Sequence, residues 1–151
     1  MMELYHETLT FQRSFPVPAA RLFEAFRNPR EREVWSAPDD NTAIEIVECD
    51  FRTGGREKGL CGSKGDMNWS MDVIYHLVET DRLIAFTEEL REGDRMLTIA
   101  LITGDIMPVA DGCTLKLTDQ ITSFVGQGGV SGHRDGYSGA LDNLAGMLKP
   151  A

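Results

Sequence analysis

The chain has 151 residues, of which 15 are Lys or Arg and 24 are Asp or Glu, so its formal net charge is −9. Hydrophobic residues make up 42% and charged residues 26% of the chain, as in ordinary globular domains and unlike disordered segments. An isoelectric point near 4.7 argues against a nucleic-acid partner, because phosphate backbones require a clustered basic surface. We therefore expect one domain over residues 1–151.

The sequence also bears on the compartment. No apolar run approaches the roughly 20 residues of a membrane span, and the first residues lack the basic and apolar regions of a secretory signal. We expect a cytoplasmic protein with no membrane span.

Cysteines and histidines give no metal-binding pattern. The cysteines are odd in number and too widely spaced for a disulfide framework or a zinc motif, and the histidines share no ligand spacing. These residues are Cys49, Cys61, Cys113, His6, His76 and His133. We predict no metal and no cofactor.

The first predicted elements are a strand and two short helices. Alternation of apolar and polar residues over 9–15 predicts a half-buried strand. Arg13 interrupts its apolar side, so this side chain lies at a rim or reaches a carboxylate. Pro18 predicts the start of a helix that stops at Asn28, and a second helix follows over Pro29–Trp35.

Strands separated by turns follow. Turns rich in glycine, aspartate and serine separate short segments in which apolar and polar residues alternate. This pattern is typical of an antiparallel meander. The predicted strands are 44–51, 56–61, 67–77, 83–89, 95–103 and 113–121. In the long strand 67–77, Trp69, Met71 and Val73 share the one consistently apolar face, so we expect this face to point inward.

The last predicted element is a helix. Tyr137, Leu141 and Leu144 form an apolar stripe that continues to Met147 or Leu148. The glycine-rich segment 126–132 before it predicts a mobile loop that could gate a cavity.

These elements predict an α+β domain in which the terminal helix lies across one face of a curved antiparallel sheet. The space between sheet and helix is either a solid core or an apolar pocket, and the residues alone leave both open. The candidate ligand-binding residues are Trp35, Phe51, Trp69, Met71, Phe86, Tyr137, Leu141 and Leu144.

Several stretches also resemble a known family. They are RSFPVP at 13–18, LFEAF at 22–26, PREREVW at 29–35, DFRTGGR at 50–56, ETDRLIAFT at 79–87 and HRDGYSGALDNL at 133–144. In order and spacing they are similar to the family named for homologues of the activator of the heat-shock chaperone ATPase, within the START-like (SRPBCC) helix-grip superfamily.

The resemblance implies a fold and a mode of binding. Helix-grip proteins wrap a curved sheet around a long C-terminal helix, with two short helices after the first strand, and hold hydrophobic small molecules in between. This sequence departs from the family pattern after Trp35, where Ser36 stands, at Tyr137 in place of a helix Trp, and at Asp72 in place of a strand Gly. The identity of the ligand therefore does not carry over.

Three functions remain at this point. We expect a non-catalytic protein that binds a small hydrophobic or aromatic molecule, and the sequence leaves a homodimer open. One alternative is a co-chaperone-like regulator of a chaperone ATPase, although stand-alone domains of this length lack the additional domain of the eukaryotic activators. The other is a small enzyme acting on polyketide-like or aromatic substrates. Its candidate residues, Arg13, Asp72, His76, Glu88 and Tyr137, form no recognisable catalytic constellation.

Overall fold

Seven antiparallel strands form one sheet in the computed structural model, which describes residues 2–149. The elements are β1 Tyr5–Phe15, α1 Ala19–Arg27, α2 Pro29–Trp35, β2 Thr42–Cys49, β3 Arg56–Ser63, β4 Asp66–Glu79, β5 Leu83–Glu92, β6 Arg95–Val109, β7 Gly112–Ser123 and α3 Gln127–Met147. The strand order is β1-β7-β6-β5-β4-β3-β2. The predicted α+β helix-grip architecture, with two short helices after the first strand, is confirmed.

Strand β7 shows why the sheet has one buried face. Cys113, Leu115, Leu117 and Ile121 are buried, and they alternate with less buried or exposed polar residues. A pleated strand points successive side chains to opposite faces, so this alternation places every second residue in the core. Asp119 falls in the buried series, and its carboxylate must therefore find a partner inside the protein.

The first and last strands are neighbours. Tyr5 lies opposite Ser123, and Phe15 lies opposite Cys113, so β1 pairs with β7 along its whole length. The Arg13 guanidinium of β1 lies 3.8 Å from the Asp142 carboxylate of α3. Of the two sequence interpretations of Arg13, the structure supports contact with a carboxylate.

The two short helices follow from local signals. Asn28 stops α1, and its side-chain oxygen accepts hydrogen bonds from the backbone N–H groups of Arg30 and Glu31 at the start of α2. Trp35 at the end of α2 is buried, and its Nε1 donates to the carbonyl oxygen of Ala25 at 3.0 Å. This bond fixes α2 against α1 and orients the Trp35 ring.

The glycine-rich segment is helical, so the prediction of a mobile gating loop was wrong. Helix α3 begins at Gln127 and includes Gly128, Gly129 and Gly132. Each glycine costs roughly 1 kcal/mol of intrinsic helix stability, but packing overrides this preference. A Cβ at Gly129 would lie 2.2 Å from the Ser123 Oγ, so only glycine lets α3 approach β7 there.

No helix formed by residues 2–149 is long and apolar enough to cross a membrane.

Candidate ligand-binding cavity

A cavity of about 410 Å³ lies between the inner face of the sheet and the first part of α3. Its wall is mostly apolar. Of the eight candidate residues, the structure places six on this wall: Trp35, Phe51, Trp69, Met71, Phe86 and Tyr137. The space under the helix is therefore open.

Strands β4 and β5 form much of the cavity floor. Trp69, Met71, Val73 and Tyr75 of β4 face the cavity, as do Ile84, Phe86, Glu88 and Leu90 of β5. These two series follow the period of two expected for pleated strands. Glu88 is the charged member of an otherwise apolar series.

The mouth of the cavity is marked by lining residues that also meet solvent. Trp69 is 40% exposed, and Gly128 and Gly132 on α3 are exposed as well. The Trp69 Nε1 donates to the Glu92 carboxylate at 3.3 Å, which holds the indole at the rim. A ligand entering between β4 and α3 would pass this ring.

Leu141 and Leu144 do not line the cavity. Both are fully buried in the solid core, and the lining contributed by α3 ends at Ala140. Of the three stripe residues, Tyr137 borders the space and the two leucines do not. Large side chains fill the volume beneath the second half of α3, whereas the first half carries glycines.

Four glycines of α3 explain why a space remains. Cβ atoms added at Gly129 and Gly139 would lie 2.2 Å from the Ser123 Oγ and 2.7 Å from the Pro38 carbonyl oxygen, so the helix touches its surroundings closely at these two positions. Between them, a Cβ at Gly132 or Gly136 would meet nothing within 4 Å. The helix is held at two close contacts and leaves room between them.

Arg32, Glu57 and Tyr75 form a buried polar cluster on the cavity wall. The Arg32 Nη1 donates to the Glu57 Oε2 at 2.8 Å, the Arg32 Nη2 donates to Oε1, and the Tyr75 hydroxyl donates to Oε1 at 2.7 Å. Burial raises the pKa of Glu57, but the hydrogen bonds and charge of Arg32 outweigh this effect and hold the pKa below its ordinary value. The carboxylate is ionised and neutralised within the cluster.

A second buried pair joins α3 to the sheet. The His133 Nδ1 lies 2.6 Å from the Asp119 Oδ2, and its Nε2 lies 3.0 Å from the Thr98 Oγ1. Burial lowers the pKa of His133, but the hydrogen bond and charge of Asp119 outweigh it and raise the pKa above the ordinary 6.5. One ring nitrogen contacts Asp119 and the other contacts Thr98, so both nitrogens of His133 are occupied.

This pair predicts a pH dependence of stability. Because the pKa of His133 is raised in the folded state, the stabilisation is fully present below pH 6.5 and is lost as the pH rises through the raised pKa. We expect the free energy of unfolding, measured with denaturant, to fall as the pH rises above 6.5 through the raised pKa in the wild type. The variant Asp119→Asn should lose most of this slope.

The matched control is Asp135→Asn, which removes an exposed carboxylate from the same helix and should leave the slope unchanged. An equal slope in Asp119→Asn and the wild type would contradict the assignment of the slope to this pair.

The residues that the sequence offered as catalytic candidates fall into two groups. Glu88 and Tyr137 lie on the cavity wall, whereas Arg13, Asp72 and His76 do not. His76 is exposed and bonds the Thr87 hydroxyl at 2.9 Å.

Cys61 also borders the cavity, but burial raises the pKa of its thiol to about 12. A thiol in this state is not an activated nucleophile.

Three charged residues of the buried clusters were not predicted from the sequence: Arg32, Glu57 and Asp119. The sequence does indicate that Asp119 is buried, because strand alternation places it on the same inward face of β7 as Leu115 and Leu117. Within the described part of the chain, no group of three or more His, Cys, Asp or Glu side chains is placed to hold a metal ion.

Comparison with known proteins decides the family. The family model for the Activator of Hsp90 ATPase homolog 1-like protein matches residues 16–149. The chain belongs to this family. The cavity described above is therefore that of an Activator of Hsp90 ATPase homolog 1-like protein with the START-like helix-grip fold.

Solved structures share the fold of this chain. A protein of Rhizobium leguminosarum is 23% identical with a TM-score of 0.84, over 98% of this chain and 97% of its own. Mll3558 of Rhizobium loti is 28% identical with a TM-score of 0.84, over 97% and 99%.

A more distant structure is DynU16, from the dynemicin biosynthetic locus. It is 19% identical with a TM-score of 0.68, and the match covers 93% of this chain and 46% of DynU16. No curated protein matches the sequence.

Proposed function

We propose that this protein binds a small hydrophobic, aromatic molecule in the cavity between the sheet and α3, without catalysing its conversion. The observation that carries the proposal is the open, mostly apolar cavity of about 410 Å³. A space of this size is within the range of small-molecule sites. Burial of the ligand's apolar surface would contribute about 25 cal/mol per Å² to affinity.

The lining supports an aromatic ligand. Trp69, Phe86 and Tyr137 border the space, and aromatic rings pair favourably with aromatic ligands in offset or edge-to-face geometry. Trp69 and Tyr137 come from strand and helix respectively, so a flat ligand would lie between two walls.

The two buried clusters favour binding over catalysis. Arg32 is paired with Glu57, and both nitrogens of His133 have partners in Asp119 and Thr98. A general base needs a free acceptor within hydrogen-bond reach of the substrate. Among the described residues, neither Arg32 nor His133 offers a free acceptor to the cavity.

The experiment is a thermal-shift titration with a neutral aromatic probe, naphthylmethanol, followed in parallel by tryptophan fluorescence. At a hundredfold excess over Kd, binding should stabilise the protein by about 2.7 kcal/mol. This corresponds to a rise in Tm of roughly 5–10 °C for a domain of this size. The fluorescence should be quenched or shifted because Trp69 and Trp35 line the cavity.

The matched control is Trp69→Phe, which keeps an aromatic ring at the rim. It should retain the thermal shift and lose part of the fluorescence response, with Trp35 giving the remainder. No thermal shift with any neutral aromatic probe, together with a dose-dependent rise in chaperone ATPase turnover, would contradict the proposal in favour of regulation through the protein surface.

A further inference from the structure

One carboxyl group on the cavity wall has no partner. Glu88 lies on the inner face of β5 between Phe86 and Leu90, and its neighbours across the sheet are Val73 and Ala100. Among the described residues, no side chain or backbone group hydrogen-bonds its carboxyl oxygens. An acidic group that lies on a mostly apolar wall without a hydrogen-bond partner destabilises the folded state. Neither packing nor stability therefore explains why a carboxyl group stands at this position of the wall.

The charges of the other lining residues are already matched. Arg32 is neutralised by Glu57, and His133 is paired with Asp119. Within residues 2–149, the wall therefore carries no unpaired cation and one unpaired carboxyl group, that of Glu88. An anionic ligand would find no counter-charge in this cavity, whereas a cation would.

The Tyr137 hydroxyl is a second free group. It borders the same cavity, and its oxygen makes no hydrogen bond within the described residues. A hydroxyl oxygen and a carboxylate are both acceptors for an ammonium N–H. The faces of Phe86, Tyr75 and Trp69 also attract cations through their π-electrons.

We infer that the ligand is an arylalkylamine, that is, an apolar aromatic ring system that carries one protonated basic nitrogen. Its ammonium group is bound by the Glu88 carboxylate, with the Tyr137 hydroxyl as second acceptor. This inference rests on the proposed function. It adds the polar group that the ligand presents and the side chains that select it.

Electrostatics around Glu88 agree with a site that is completed by a cation. Burial raises the pKa of Glu88, the charge of His133 lowers it in part, and Asp119 raises it further. The titratable and charged groups around it are His133 and Tyr137 on α3, Asp119 on β7, Glu57 and Cys61 on β3, and Arg32 on α2. In the empty protein, ionisation of Glu88 therefore opposes folding, and a bound ammonium group reverses this effect.

The test compares three probes that share one ring system: naphthylmethylamine, naphthylmethanol and naphthoate. Kd values are measured by fluorescence titration at about pH 7.5, where the amine is protonated. A charge-assisted hydrogen bond should give the amine about tenfold tighter binding than the alcohol. The carboxylate should bind more weakly than both.

The deciding variant is Glu88→Gln, an isosteric change that removes the charge. It should weaken amine binding about tenfold and change alcohol binding by less than about twofold. The empty variant should also have a higher Tm than the wild type, with the difference larger at pH 8 than at pH 5, because ionisation of Glu88 destabilises the fold above its ordinary pKa of 4.5. The control is Glu89→Gln, on the opposite face of β5, which should leave all three affinities unchanged.

The outcomes separate the two proposals. If the alcohol binds and the amine binds no more tightly, or if Glu88→Gln leaves amine binding intact, the inference about the amine is overturned and the binding function stands. If none of the three probes binds to the wild type, both proposals are overturned.

Discussion

Replacing Glu57 by alanine is expected to lower the free energy of unfolding by about 3–5 kcal/mol. The substitution leaves the Arg32 guanidinium, whose side chain is 13% exposed, without its counter-charge, and it leaves the Tyr75 hydroxyl without an acceptor. A buried charge without a partner is one of the few causes of losses this large. Chemical denaturation followed by circular dichroism measures the change.

The control for this prediction is a solvent-exposed ion pair. Asp50 and Arg52 have side chains that are 53% and 67% exposed, so Asp50→Ala should cost less than about 1 kcal/mol. The double variant Arg32→Met with Glu57→Leu should recover most of the loss, because apolar side chains often replace a buried pair at little cost. Equal losses from Glu57→Ala and Asp50→Ala would contradict the role of the buried pair.

The same pair also predicts acid sensitivity. Burial would raise the pKa of Glu57, but Arg32 holds it below its ordinary 4.5. The stabilisation is therefore present above pH 4.5 and is lost as the pH falls through the lowered pKa. The wild type should lose stability over this range more steeply than the double variant.

Replacing Gly136 by leucine is expected to weaken the binding of aromatic probes by roughly 10- to 100-fold while leaving the protein folded. Gly136 lies on the cavity wall, and a Cβ there meets nothing within 4 Å, so the new side chain enters the space that the ligand would occupy. Leucine is also a better helix former than glycine, which should stabilise α3 by up to about 1 kcal/mol. Fluorescence titration gives the affinity, and thermal unfolding gives the stability.

Gly146→Leu is the matched control. Gly146 lies on the same helix, is exposed and does not border the cavity, and a Cβ there also meets nothing within 4 Å. This variant should show a similar gain of helix stability and unchanged binding. If Gly136→Leu unfolds the protein, the space at Gly136 is not open, and if it binds the probes as tightly as the wild type, the ligand does not lie under α3.

The apolar walls were predictable because strand periodicity is a local property. The alternation that contains Trp69, Met71 and Val73 determines which side of β4 is apolar, and the last helix carries an apolar stripe that can cover this side. Both conclusions need no knowledge of distant contacts. For the same reason, Trp69 and Tyr137 could be assigned to one space from the sequence.

The buried charges could not be predicted because their partners are distant in the chain. Glu57 stands between Arg56 and Lys58, a run of charges that is typical of a solvated strand, and its partner Arg32 lies in a helix that is also highly charged. Only the tertiary arrangement brings Arg32 and Glu57 together. A local pattern assigns both residues to the surface.

The extent of α3 was missed for a different reason. Glycine is a poor helix former, so the propensity of residues 126–132 favours a loop. Tertiary contact reverses this preference at Gly129, where the backbone lies against Ser123. Leu141 and Leu144 were placed on the cavity wall because the sequence shows which helix face is apolar, but not which part of that face lies over empty space.

The pairing of β1 with β7 has a consequence for the order of folding. Strands β2 to β6 each pair with the next strand in sequence, so their hairpins close over short loops. Strand β1, in contrast, has β7 as its one neighbour in the sheet, and this pairing closes the longest loop in the sheet. Closure of a long loop loses chain entropy before any contact compensates for it, which slows folding. During synthesis, β1 leaves the ribosome before the other strands described here and waits unpaired until residues 112–123 have been made, so the first of these strands to be synthesised is among the last to pair.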